Sequence, residues 1–308
     1  MNETMVILQF LIFPGLVFTG VAGLVTSWLD RMVTARVQMR VGPPFLQPFY
    51  DIAKLMIKET CVPKEANIIL FLGAPLIGLA SVTLVSTIVW NAVIDPQATF
   101  VGDLIVLLYL LAMPALGVVL GSFASQNPLA SLGGSREIKM MLAYELPFVL
   151  AILVPVIQAH SIRLGDLMSS APAAASLSGA LALAVCVVCM QAKLTLVPFD
   201  LPEAETELNG GVFIEYSGPP LAMFKLTRAM MLFTMPVFLV VVFFGASIVD
   251  GGWTAKLLGA VAWLVLIVIV IVLRNTTPRM RIDQSVRFFW GSLTGVALAA
   301  AGLAWMGW

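Results

Sequence analysis

Eight stretches of this chain are each apolar over about 20 residues, the length an α-helix needs to cross the hydrocarbon of a bilayer. They lie approximately at 5–27, 68–90, 104–123, 140–159, 177–197, 221–247, 254–273 and 288–306. In hydrocarbon every backbone N–H and C=O must find a partner inside the protein, so such segments fold as helices packed on helices. The expected fold is an all-α integral membrane protein of about eight transmembrane helices, with long structured cytoplasmic loops and a single membrane domain over 1–308. Composition agrees, because only 11% of the 308 residues are charged, against roughly 25% in ordinary globular domains. The 17 basic and 17 acidic residues cancel, which leaves no cationic excess for nucleic acid. The first stretch does not read as a cleavable signal, since its basic residues Arg31 and Arg36 follow it.

The Lys and Arg residues alternate between loops. Counted by loop, the first, third, fifth and seventh hold six, two, three and four, while the even loops hold Arg163 and Lys256. This 15 to 2 division assigns the odd loops to the cytoplasm and both termini to the outside of the inner (cytoplasmic) membrane. The first cytoplasmic loop, 28–67, is long enough to carry structure of its own. Within it Ile52, Leu55 and Met56 share one helical face while Asp51, Lys54 and Lys58 share the other. An amphipathic helix on the membrane surface or against a partner is expected there.

The acids are concentrated rather than scattered. Asp200, Glu203, Glu205, Glu207 and Glu215 fall within the loop 198–220, between two strongly apolar segments. Asp200 and Glu203 read as a helix start, but capping does not account for Glu205, Glu207 and Glu215. Like charges at that spacing raise carboxylate pKa values and suit proton relay. Glu145 lies inside a predicted span and precedes Pro147 by two residues; an acid in hydrocarbon faces a bundle interior, pairs with a cation or holds a proton. Lys193, Lys225 and Arg228 flank the acidic loop as charge partners or as positive-inside anchors. Cys186 and Cys189 have CxxC spacing inside an apolar helix, where cysteine behaves as a small hydrophobe. With three cysteines, one histidine, and no phosphate loop or nucleophile elbow, no catalytic, metal-binding or cofactor-binding centre is expected in this chain alone.

Three segments, DRMVTARVQMRVGPPFLQPFYDIAKLMIKE, SREIKMMLAYELPFVLA and PFDLPEAETELNGGVFIEYSGPPLAMFKL, together resemble the H-subunit family of respiratory complex I and its membrane-bound nickel–iron hydrogenase relatives. The resemblance implies a protein that joins a peripheral electron-transfer arm to antiporter-like membrane subunits. It assigns a proton path to Glu145, Asp200, Glu203, Glu205, Glu207 and Glu215. It also places Arg36, Arg40 and Gln47, and less specifically Arg274 and Arg279, at the arm interface. Two departures resemble the hydrogenase branch: only VGPPFL separates Arg40 from Gln47, and LAMFKLTRAM after EYSGPP lacks an acid. That branch implies a nickel–iron centre and iron–sulfur clusters in partner subunits, coupled to proton or sodium movement. A membrane subunit of a quinone-reducing complex I, a stand-alone secondary transporter and a passive membrane anchor are the competing readings.

Overall fold

The computed structural model describes residues 3–249 and 252–307. Among them there is no strand, and the helices run α1 Glu3–Leu11, α2 Leu16–Val37, α3 Gln47–Ile57, α4 Ile68–Ile94, α5 Asp103–Ala124, α6 Pro128–Ala159, α7 Leu164–Ser169, α8 Leu177–Lys193, α9 Glu205–Leu208, α10 Gly218–Val249, α11 Gly252–Thr276, α12 Ile282–Arg287 and α13 Thr294–Trp305. A π-helical turn, Phe288–Leu293, joins α12 to α13. Seven of these stretches are long and apolar enough to cross a membrane, and α8 is a shorter apolar eighth. The all-α membrane architecture expected from hydropathy is therefore present.

The differences lie at the ends of the spans. Pro14 and Gly15 interrupt the first apolar stretch, so α1 and α2 replace one continuous helix. α6 begins at Pro128, not near 140, because the Asn127 side chain caps it by accepting from the Leu129 N–H. Arg136 and Lys139, expected in a loop, thus belong to a helix. α8 ends at Lys193 rather than 197, where Thr195 turns the chain with φ +49°.

A helix that is apolar all round belongs in the interior, and α10 takes that place: 83% of its apolar window is buried, against 28% for α11. α2, α4 and α11 pack around it. The contact with α2 is close enough that a Cβ on Gly23 would stand 2.7 Å from the Ala229 carbonyl; small residues at such crossings let backbones approach in the membrane. α6, α8 and α13 form a second group against which the acidic loop is folded.

The first-loop helix forms as α3, with Pro48 buried and Ile52 and Leu55 half-buried. Met56, placed by its spacing on the same apolar face, is 52% exposed. Asp51 closes the other side: burial acts to raise its pKa, but hydrogen bonds from Arg31 at 2.7 Å and Gln47 at 2.9 Å hold it below the usual carboxylate range.

Candidate functional site

The segment from Leu194 to Ser217 alternates apolar anchors with acids. Phe199, Leu201, Ala204, Leu208, Val212 and Tyr216 are buried. Phe199 packs its ring against Phe288 and Phe289, and Pro198 accepts from the Met280 N–H at 3.0 Å. At the far end Tyr216 stacks on Phe71 with ring centroids 4.1 Å apart and donates to the Phe71 carbonyl at 3.0 Å. Burial raises the Tyr216 phenol pKa, so it stays a neutral donor. The chain reverses at Gly211, whose φ of +58° and approach to the Pro202 carbonyl exclude a side chain. The loop is therefore folded into the protein and is not a solvated connection.

Fixing the anchors aims each acid at a separate partner. Glu203 accepts from Arg228 of α10 at 2.6 Å, and the same guanidinium donates to the Thr195 carbonyl at 2.9 Å. Glu207 accepts from Arg136 of α6 at 2.6 Å, and Glu215 from the Asn127 amide at 2.6 Å. Asp200 accepts from Arg279 at 2.7 Å. It does not cap a helix, contrary to the sequence reading, because the chain from Asp200 to Ala204 is not helical. Burial and the Glu203 charge raise the Asp200 pKa, against the opposing charges of Arg228 and Arg279. The expected like-charge effect thus acts on Asp200, while Glu203, Glu207 and Glu215 each also have a partner of their own. The Glu205 side chain lies outside the described residues.

Glu145 accepts from Lys193 of α8 at 2.6 Å. The Lys193 side chain is 1% exposed, and its ammonium stands 5.1 Å from the Tyr144 ring centroid and 4.7 Å from that of Phe148. Glu145 itself is 28% exposed, at the outer surface of the helix group. Because α6 starts early, Glu145 lies 17 residues into its helix rather than near its end.

A carboxylate that sequence reasoning missed stands between these pairs. Glu137 of α6 is 2% exposed and forms no hydrogen bond or ion pair among the described residues. It lines a cavity of about 130 Å³ together with Lys193, Thr195, Glu203, Thr227 and Arg228. That volume holds several waters. An isolated ionised carboxylate buried in protein costs several kcal/mol, a cost relieved by taking up a proton or by water in the cavity. The signal for Glu137 was helical spacing, since Glu137, Met140, Tyr144, Phe148 and Ala151 form one buried face.

The other predicted residues divide between internal and exposed roles. Arg274 pairs with Asp30 at 2.7 Å, tying α11 to α2. Arg36 and Arg40 are exposed at the end of α2, and Gln47 serves Asp51 within α3. Lys225 is exposed at the cavity mouth and forms no ion pair among the described residues. Also among the described residues, no group of three or more His, Cys, Asp or Glu side chains is arranged to hold a metal.

The NADH dehydrogenase family profile matches residues 8–305. An H subunit of the NADH-quinone oxidoreductase of Syntrophobacter fumaroxidans is 35% identical over 309 aligned residues, covering 91% of each chain. The corresponding protein of Brevibacillus brevis is 33% identical, covering 94% of this chain and 90% of the relative. A chain in the structure of the membrane-bound sulfane sulfur reductase, an archaeal respiratory membrane complex, has the same fold with a TM-score of 0.85. It is 24% identical and covers 97% of this chain and 99% of its own. With its helices, its acidic loop and nearly its full length matched, the chain belongs to the NADH dehydrogenase family, in the form represented by the H subunits of NADH-quinone oxidoreductases.

Proposed function

We propose that this chain is the membrane subunit of an energy-converting nickel–iron hydrogenase-type complex, where it links a peripheral electron-transfer arm to proton or sodium translocation. The observation that carries the coupling is Glu137, a buried acid in a cavity shared with Lys193, Glu203 and Arg228. Redox turnover in the arm displaces the 194–217 segment and parts Glu203 from Arg228. The freed guanidinium then favours the ionised form of Glu137, which releases its proton to cavity water. When Glu203 returns to Arg228, Glu137 takes a proton back. Lys193 stands between this cavity and Glu145, whose partly exposed carboxylate hands the proton on to an antiporter-like neighbouring subunit. Under this reading the chain holds no redox centre itself, and the nickel–iron and iron–sulfur groups belong to partners.

The hydrogenase branch is favoured by the six residues between Arg40 and Gln47 and by the absence of an acid in Leu221–Met230. A quinone-reducing complex is the second reading, favoured by curated relatives that are NADH-quinone oxidoreductase subunits. Metal and quinone analysis of the complex purified with its native partners decides between them. Nickel and iron without quinone support the hydrogenase assignment, and quinone with flavin and no nickel overturns it.

A further inference from the structure

α2 and α11 are tied together at one end and splayed at the other. At the basic end Asp30 pairs with Arg274 at 2.7 Å and Thr34 meets Asn275 at 3.3 Å. Towards the opposite end the two helices part around α4 and α10, leaving a recess of about 900 Å³, near the upper end of the range of about 300–1,000 Å³ usual for ligand sites. Its floor is aromatic: Phe18 meets Trp90 edge-on at 5.3 Å, and Phe233 lies 6.0 Å from Phe18 and 5.7 Å from Trp263. Lys256, in the first turn of α11, stands exposed at its mouth. Lys256 and Arg163 are the two basic residues of the even loops, and Arg163 is engaged with Thr99 and Gln97. Lys256 forms no ion pair among the described residues, and the Trp253 ring lies 5.7 Å away.

We propose that this recess binds one anionic phospholipid from the leaflet opposite the basic loops, with an acyl chain laid over the aromatic floor and the phosphate held by Lys256. The taper selects the occupant. A spanning helix needs a groove along the full bilayer, about 30 Å, whereas the lining of this recess runs along α11 only from Lys256 to Trp263, about 10 Å at the helical rise per residue. A chain entering from one leaflet fits a wedge that is wide at the membrane surface and shut within the membrane. An ammonium with no ion pair among the described residues, standing above a hydrocarbon pocket, complements an anionic headgroup above its tail.

The test is mass spectrometry of lipids retained by the whole native complex after exhaustive washing in detergent, followed by reloading with dioleoyl phosphatidylglycerol or dioleoyl phosphatidylcholine. About one phosphatidylglycerol per complex is expected to be retained in preference to phosphatidylcholine. Lys256→Glu should lower its retention about tenfold, as expected for loss of a charge-assisted hydrogen bond. Ala260→Phe, which fills the recess from an exposed wall position, should abolish retention of either lipid while the complex still elutes intact. Equal retention in the native protein and both variants, quinone recovered in place of lipid, or a partner helix seated in the recess would each overturn the proposal.

Discussion

Glu145→Gln leaves the Lys193 ammonium, 1% exposed, with two aromatic rings around it and no carboxylate bonded to it. At 2.6 Å and an effective dielectric near 20, the native pair attracts by about 6 kcal/mol, most of it offset by desolvation. Removing one partner of a buried pair costs about 3–5 kcal/mol, and the rings retain about 1 kcal/mol through cation–π attraction. The expected loss is therefore about 3 kcal/mol. Lys193→Met should cost less, about 1 kcal/mol, because the Glu145 side chain left behind is 28% exposed and can be hydrated. In the double variant neither member of the pair remains to be stranded by loss of the other, so the two losses should fall short of adding by about 2–3 kcal/mol. Pulse proteolysis of the tagged chain in its native complex, across a detergent-denaturant titration, measures all four corners of the cycle. Equal single losses that add within about 0.5 kcal/mol would refute the view that Glu145 neutralises a buried lysine.

Glu137→Gln should leave assembly and redox turnover of the complex in place and reduce ions moved per electron, measured in proteoliposomes with a pH-sensitive dye; unchanged stoichiometry removes Glu137 from the path. Asp200 holds its proton to higher pH when folded than when unfolded, so its contribution to stability is full below the ordinary carboxylate range and is lost as pH rises through the folded value. Asp200→Asn should therefore gain stability relative to the native protein as pH rises through that window, and a flat difference in melting temperature would contradict this. Asp51 has the opposite sign: its pKa is lowered, so its contribution is present above the ordinary carboxylate range and lost as pH falls through the folded value. Asp51→Asn should accordingly lose stability near neutrality and converge with the native protein on acidification. Gly211→Ala, which needs φ +58° and would bring its Cβ against the Pro202 carbonyl, should destabilise the acidic loop by about 1–3 kcal/mol, read as faster amide exchange over 198–217.

Hydropathy carried seven spans and the shorter apolar α8 because length and apolarity are properties of single segments. It misplaced the start of α6 because Arg136, Glu137 and Lys139 read as loop charges. The partner of Arg136 is tertiary: it meets Glu207, 71 positions away. The same masking hid Glu137 although its helical register with Tyr144 and Phe148 was present in the sequence. The acids of the 198–220 loop were legible as a group, but not their separate partners, since no local spacing links Asp200 to Arg279 or Glu215 to Asn127. The Pro14–Gly15 break was written plainly in the first span and was outweighed by the apolar residues around it.

The covered position of α10 also decides how its sequence is free to drift. An outward-facing helix, such as much of α11, is screened by this chain's own packing for apolarity more than for shape, and Leu, Ile, Val or Phe serve there interchangeably. On α10, Met230, Met235, Phe238, Leu239 and Phe243 are fully enclosed, so each is screened for volume and shape by neighbours on every side. In a saturation library the two helices should separate on this basis. Tolerance along α11 should follow hydrophobicity, whereas along α10 a single methylene too many or too few should count against an otherwise acceptable apolar residue.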